Sequence, residues 1–122
     1  MGIIGVHSIF FFVADLERSK AFYRALFDIE PIENSPSIAS FSLGGVELML
    51  HVDGEISRIP PNGPRGTGMA VHVQVEGIDL LWQRLHAQGF QLLEPPTKQP
   101  WGFTEFGMLD PDGYHVEFVE RS

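Results

Sequence analysis

The clearest fold signal in the sequence is the segment Asp110-Pro111-Asp112-Gly113-Tyr114-His115-Val116-Glu117-Phe118-Val119-Glu120. Its first four residues are typical of a tight turn, because proline presets φ and glycine adopts positive φ at no steric cost. The residues that follow alternate between two faces, which predicts a β-strand. One face of this strand is apolar throughout, whereas the other carries the imidazole of His115 and the carboxylate of Glu117.

A shorter copy of this pattern occurs in the first half of the chain. The turn Gly44-Gly45 leads into a second alternating run, in which Glu47 lies on the less aliphatic face. Each copy follows a strand, a helix and a further strand, so both halves are predicted to have the order β-α-β-β-β. The predicted fold class is α+β, with two βαβββ modules that each form a curved mixed sheet covered by one helix. Module one spans 5–52, the linker 53–68 and module two 69–120, within a single domain 1–122.

The predicted elements follow from hydrophobic periodicity and from turn residues. Strands are expected at 6–13, 38–43, 46–52, 69–75, 90–93, 102–109 and 114–120, and helices at 16–27 and 78–88. The helical spacing predicts inward faces made of Leu16, Ala21, Phe22, Ala25 and Leu26 on the first helix, and of Leu80, Leu81, Leu85 and Ala87 on the second. The glycines at 63–68 fit neither the dinucleotide fingerprint nor the Walker spacing, so a connector is favoured over a phosphate loop.

Composition excludes several classes of protein. The net charge of −8 argues against nucleic acid and against anionic membranes as partners, because both are bound through clustered Lys and Arg. The absence of Cys excludes disulfides, thiol catalysis and Cys-rich zinc sites. No apolar run reaches membrane-spanning length, and the N-terminus lacks the pattern of a signal peptide. A soluble cytoplasmic protein is the expectation.

Strand phase also predicts which side chains face away from the helices. These are Ser8, Phe10, Phe12, Glu47, Met49, His51, Ala70, His72, Gln74, His115, Glu117 and Val119. We expect them to enclose one concave site between the modules, mostly apolar with a few converging polar groups, as small-molecule pockets are. Trp101 and Phe103 either line the mouth of this pocket or cap the core.

Three motifs together resemble a known superfamily. They are the run 13–23 (VADLERSKAFY), the run 110–117 (DPDGYHVE) and the short segment 100–103 (PWGF). The chain resembles the vicinal oxygen chelate superfamily, which includes glyoxalase I, bleomycin-resistance proteins, fosfomycin-resistance transferases and extradiol dioxygenases. The resemblance implies paired βαβββ modules, a homodimer and a small organic ligand.

The resemblance also implies positions for metal ligands, at the first and last strand of each module. Glu47 and Glu117 stand at two of these positions, but Ser8 and Ala70 stand where histidines are expected. His72 shares the face of Ala70 but is displaced by roughly 6–7 Å along the strand. Two carboxylates without such partners suit zinc, nickel or iron poorly. The prediction is that no metal cofactor is held. The alternative is a rearranged site for zinc, nickel, iron or manganese, made by Glu47, His72 and Glu117, to which His51 or His115 adds nitrogen donors.

The candidate site residues fall into two groups. Glu117, Glu47 and His72 are the candidate catalytic residues, and each has a structural alternative. Either carboxylate can be an ion-paired residue, and His72 can be a hydrogen-bonded core imidazole. His7 is expected at the surface or at a subunit contact. The candidate ligand-binding residues are Phe10, Phe12, Met49, His51, Gln74, Trp101, Phe103 and His115.

Three functions are compatible with this pattern. The first is metal-independent binding of an aromatic or cationic organic molecule, as in antibiotic-sequestering resistance proteins. The second is a metal-dependent glyoxalase-like lyase or dioxygenase with rearranged ligands. The third is a metal-free enzyme in which Glu117 or Glu47 acts as a general base with His72 as its partner.

Overall fold

The computed structural model describes residues 2–52 and 65–122. These residues form two compact units, Met1–Arg65 and Gly66–Ser122. Each unit contains one helix and one four-stranded mixed sheet. The predicted α+β class with two βαβββ modules is confirmed. Residues 53–64 of the predicted linker lie outside the described residues.

The first unit carries its strands in the order β1-β4-β3-β2. Strand β1 is parallel to β4, and the remaining pairs are antiparallel. Gly44 and Gly45 have φ of 61° and 96°, as the predicted hairpin turn between β3 and β4 requires. The elements are β1 Ser8–Val13, α1 Leu16–Phe27, β2 Glu33–Asn34, β3 Ile38–Leu43 and β4 Val46–Val52.

Helix α1 has the predicted bounds, and Leu16 and Leu26 of its predicted inward face are buried, but other members of that face are not. Ala21 and Ala25 are exposed, whereas Ser19, Lys20 and Tyr23 are buried. Counted from Leu16, the buried positions follow the i, i+3, i+4, i+7 spacing of one helix face. Ala21 and Ala25 lie outside that face and are therefore exposed although they are apolar. The Tyr23 ring is the centre of the core, and its centroid lies 6.3 Å from that of Phe11 in β1.

Lys20 is a charged residue within this buried face, and its ammonium group is paired. Its stem is covered, and its ammonium donates to Glu17 Oε2 at 2.7 Å and to Asn34 Oδ1 at 2.6 Å. A buried charge is costly unless it is paired and hydrogen-bonded, and both conditions are met here. The contact with Asn34 ties α1 to the short strand β2.

The second unit repeats the arrangement with the strand order β5-β8-β7-β6. The predicted strand at 90–93 is wrong: only Leu92 forms a bridge, to Met108, and the paired strand is the two-residue β6 further along. In α2, Leu85 is buried as predicted, but Leu80 and Ala87 are exposed. The elements are β5 Ala70–Gln74, α2 Ile78–Ala87, β6 Thr97–Lys98, β7 Phe103–Leu109 and β8 His115–Arg121.

The predicted turn before β8 is built on the carboxylate of Asp110. This side chain is buried, and its Oδ1 accepts hydrogen bonds from the amides of Asp112 and Tyr114, each at 2.9 Å. Gly113 has a φ of 93°, which satisfies the predicted need for a glycine. The turn sets the start of β8 and therefore the phase of the face that carries His115.

The start of α2 depends on a residue from another strand. Gly77 is the N-cap and offers no side chain, and the carboxylate of Glu120 in β8 takes that role. Glu120 Oε2 accepts from the Gly77 amide at 2.7 Å, and Oε1 accepts from the Ile78 amide at 3.2 Å. A carboxylate at this end also interacts favourably with the helix dipole.

Replacement of this cap gives a first testable prediction. Glu120→Ala leaves two amides at the start of α2 without their acceptors, so we expect it to lower the free energy of unfolding by about 1 kcal/mol. Urea denaturation measures the change. Glu94→Ala, which removes an exposed glutamate outside the helices and strands, is the control and should leave the midpoint unchanged. Equal stability of the two variants would contradict the capping role.

The pairing of the strands corrects the internal alignment of the two modules. The sequence aligns Ser8 with Ala70 and Glu47 with Glu117, but the two alignments are incompatible. Ser8 pairs with Glu47, whereas Ala70 pairs with His115. With Ser8 matched to Ala70, the position that corresponds to Glu47 is therefore His115. The alignment failed because the loop from β7 to β8 is longer than the two-glycine turn of the first module.

Candidate functional site

The polar candidate residues of the second unit share the sheet face opposite α2. In this face, Glu117 of β8 lies between His72 of β5 and Gly107 of β7, which are its cross-strand partners. The same face continues along β7 through Glu105. Its members, together with the segment before β7, are Ala70, His72, Gln74, Trp101, Phe103, Glu105, Gly107, His115, Glu117 and Val119.

Glu117 and His115 form a close acid–imidazole pair. Glu117 Oε2 lies 2.6 Å from His115 Nε2, and the side chains are 13% and 34% exposed. The two atoms are close, but their geometry is not that of a hydrogen bond, and Nε2 has no aligned partner within the described residues. The two residues are two positions apart in one strand, which places both side chains on one face.

His72 is placed differently from the sequence hypotheses. It is exposed, so the alternative of a buried core imidazole is wrong. It lies beside Glu117 in the register of β5 and β8, but the imidazole in contact with Glu117 is that of His115. Gln74, two residues further along β5, is exposed as well. The imidazole that contacts Glu117 is therefore that of His115, in the same strand, and not that of His72 as predicted.

A second carboxylate on this face was missed from the sequence. Glu105 is only 6% exposed, and its Oε2 accepts a hydrogen bond of 2.6 Å from the indole Nε1 of Trp101. Trp101 itself is 64% exposed. The carboxylate therefore holds an indole ring whose surface faces solvent. On the neighbouring strand, the guanidinium of Arg121 lies 4.8 Å from the centroid of Phe103.

The first unit carries the aromatic candidates on the corresponding face of its sheet. Phe10 and Phe12 lie opposite Met49 and His51 in the register of β1 and β4. The Phe12 ring is 6.1 Å from the Phe10 ring and 6.1 Å from the His51 ring. His51 is buried rather than solvated, and its Nδ1 lies 2.8 Å from the carbonyl oxygen of Val52. Ser40, fully buried on β3 opposite Met49, belongs to this face and was not identified.

Glu47, the third catalytic candidate, is paired with the histidine just outside β1. Its Oε2 lies 3.5 Å from His7 Nε2, and the His7 side chain is 79% exposed. Both candidate carboxylates therefore have an imidazole neighbour, as the ion-pair alternative proposed. That Glu47 and Glu117 line one shared pocket stays a prediction.

The residues do not fit the metal centre that the fold family implies. Ser8 and Ala70 supply no adequate ligand, and each acid–imidazole pair offers two donors, whereas a catalytic zinc requires about three. Within residues 2–52 and 65–122, no group of three or more His, Asp or Glu side chains is arranged to hold a metal ion. The strand registers add a second observation, because Ser8 with Ala70 and Glu47 with Glu117 cannot both be equivalent pairs.

Comparison with known proteins identifies the family. The sequence profile of the Glyoxalase/Bleomycin resistance protein/Dioxygenase superfamily matches residues 5–118. The chain belongs to this superfamily. As a glyoxalase-superfamily protein, it has the two βαβββ modules that the resemblance implied. Among its described helices, none is long and apolar enough to cross a membrane.

Individual members of the glyoxalase superfamily are distant in sequence and similar in fold. The chain is 27% identical to the metallothiol transferase FosB of Bacillus licheniformis over 115 residues. The aligned residues cover 94% of this chain and 74% of that protein. A glyoxalase/bleomycin resistance protein/dioxygenase from Nocardioides is 25% identical with a TM-score of 0.81, over 99% of this chain and 85% of that one. A glyoxalase-related enzyme from Fulvimarina pelagi is 26% identical with a TM-score of 0.77, over 98% and 89%.

Proposed function

We propose that this glyoxalase-superfamily protein binds a cationic aromatic small molecule without a catalytic metal. The observation that carries the proposal is the face of the second sheet, which combines the largely buried carboxylate of Glu117 with that of Glu105, the acceptor for the exposed indole of Trp101. A carboxylate in a partly desolvated site attracts a cation more strongly than one in water. An indole face attracts the same charge through its quadrupole and stacks on aromatic rings.

The register sets the size of the ligand that this face suits. Glu105 and Glu117 are diagonal neighbours on β7 and β8, so their Cα atoms are about 7–8 Å apart. A ligand with its charge at Glu117 and its ring over the indole that Glu105 holds would extend over about that distance. The exposed His72 and Gln74 supply polar groups at the edge of the same face. The overall charge of −8 favours the approach of a cation over that of an anion.

Two fluorescent dyes of opposite charge test the proposal. Thioflavin T is a cationic aromatic dye, and 8-anilinonaphthalene-1-sulfonate is an anionic one of similar size. We expect saturable binding of thioflavin T to the native protein, tighter than that of the anionic dye, because the recognising groups are carboxylates and an indole. Equal binding of both dyes, or a preference for the anion, would show that the carboxylates do not select the ligand.

A metal-dependent transferase or lyase is the alternative, and one observation favours it. The chain is 27% identical to a protein named a metallothiol transferase, over most of both lengths. This function requires about three ligands, whereas the acid–imidazole pair of each unit supplies two. We therefore place it second.

Metal content separates the two functions. We expect the purified protein to hold no stoichiometric zinc, nickel, iron or manganese, and to show no lactoylglutathione lyase activity with added zinc or nickel, because two donors per sheet do not complete a catalytic site. Elemental analysis after dialysis gives the metal per chain. One bound transition metal per chain would overturn the expectation, and loss of that metal in His72→Ala would then assign the rearranged site.

We also propose that the protein is a homodimer. The segment before β1 supports this, since Ile3 and Ile4 are almost fully exposed and Val6 is 65% exposed. Such an apolar run is typical of a surface that is covered by a partner. We expect a dimer that buries roughly 1,000 Å² or more in total. Sedimentation velocity at micromolar concentration should give twice the chain mass of 13.6 kDa, and a monomer would refute the proposal.

A further inference from the structure

One glycine lies directly beneath the acid–imidazole pair. Gly107 is buried in the middle of β7, among larger residues, and its cross-strand partner is Glu117. Its φ is not in the left-handed region, so the backbone conformation does not require glycine. Glycine within a strand is unfavourable, and it often marks a place where another group approaches closely. We therefore expect that a side chain at this position would collide with neighbouring atoms on this face of the sheet.

Those atoms belong to the acid–imidazole pair. A methyl carbon placed on Gly107 would overlap Glu117 Oε2, and it would lie 2.8 Å from His115 Nε2 and 3.1 Å from Glu117 Cδ. These three nearest atoms all belong to side chains that can rotate. Relief of the overlap would move the pair and leave the sheet in place.

We propose that Gly107 is a positioning residue for the ligand site. Its missing side chain leaves the space in which Glu117 and His115 sit against each other over β7. The carboxylate is held there at 13% exposure, on the face that also carries Phe103 and Glu105. An alanine at this position keeps every charged and aromatic group of the site but displaces the carboxylate. The expected loss of ligand binding rests on the proposed function, whereas the expected change in protein stability does not.

A double-mutant cycle tests the stability readout. In the wild-type background, Gly107→Ala gains strand propensity but must displace the pair, so the two effects oppose each other. In the background His115→Ala/Glu117→Ala the space is empty, and the same substitution should raise the melting temperature. We therefore expect Gly107→Ala to be more stabilising in the double-alanine background than in the wild type. Equal effects in both backgrounds would show that the glycine does not make room for the pair, and would overturn the inference.

Dye binding tests the positioning itself. Gly107→Ala should weaken thioflavin T binding about tenfold while the protein stays folded, a change of about 1.4 kcal/mol in binding free energy. The control is Gly89→Ala after α2, where φ is 87° and an added methyl meets no atom within 4 Å. That variant strains the backbone and should lower the melting temperature with dye affinity unchanged. Unchanged affinity in Gly107→Ala would refute the positioning role.

The two readouts separate the possible failures. Absence of thioflavin T binding to the wild type would remove the proposed function, and the stability cycle alone would then decide the role of Gly107. A nuclear Overhauser contact between the His115 ring protons and the Gly107 α-protons gives a further check. The contact is expected in the wild type, because a methyl at Gly107 would lie 2.8 Å from Nε2. Its absence would contradict the placement of the pair.

Discussion

Gly66→Ala is expected to destabilise the second unit by about 3–5 kcal/mol, at the upper end of the range for single substitutions. The glycine has a φ of 74°, which other residues adopt only with strain. An added methyl would overlap the carbonyl oxygen of Gly113 and would lie 2.5 Å from its carbonyl carbon and 2.8 Å from the amide nitrogen of Tyr114. All of these are backbone atoms of the turn before β8, so relief requires the two segments to part.

The matched control for this prediction is Gly89→Ala. Its φ of 87° imposes a similar strain, but nothing lies within 4 Å of the added methyl, so we expect a cost of only about 1–2 kcal/mol. Urea denaturation of the two variants and the wild type isolates the packing contribution as their difference. If the two alanines cost the same, the contact between Gly66 and the turn before β8 is not a stabilising feature of the fold.

Glu117→Gln is expected to weaken thioflavin T binding about tenfold or more. The substitution keeps the size of the side chain and removes the charge. Because thioflavin T has no N–H or O–H group to donate, the loss is that of a Coulomb attraction, about 1–4 kcal/mol for unit charges about 4 Å apart between bulk water and a partly desolvated site. The largely buried position of Glu117 places the expected loss in this range rather than at the near-zero value of exposed pairs. Fluorescence titration measures the affinity, with the anionic dye titrated in parallel.

A carboxylate on the opposite side of the sheet separates the local effect from the overall charge. Asp79→Asn makes the same change in net charge at an exposed position of α2, which covers the other face. It should leave the affinity for thioflavin T within a factor of about two, because charges at the surface are screened by salt within about 10 Å. A similar loss in both variants would assign the dye affinity to the general negative charge of the protein, and Glu117 would then have no special role.

Most of the architecture was predictable because strong periodicity and turn chemistry agree. The bounds of α1, β3 and β4 follow directly from the pattern, and the paired glycines between the two strands have the predicted positive φ. The two-residue strands β2 and β6 were missed, since a pair of residues has no detectable period. The apolar run 90–93 was assigned as a strand although it follows the end of α2. There the Phe90 amide bonds the Leu85 carbonyl oxygen at 3.1 Å and closes the helix.

The site was predictable only as far as strand phase reaches. Alternation placed Glu117 and His115 on one face, but it could not tell which imidazole would contact the carboxylate, because that depends on rotamers. Glu105 and Gly107 carried a usable signal, since they alternate with apolar Phe106 and Met108 along β7. The glycine inside a strand also indicated a close approach. The hydrogen bond from Trp101 had no signal, as it joins a segment outside the strands to β7.

We propose above that the face around Glu117 recognises a cationic aromatic molecule without a metal. A fluorescence titration of thioflavin T into protein dialysed against EDTA tests it most directly, repeated after addition of equimolar zinc. We expect saturable binding to the chelated protein, with an affinity that zinc does not increase. Binding that appears only when zinc is present would contradict it.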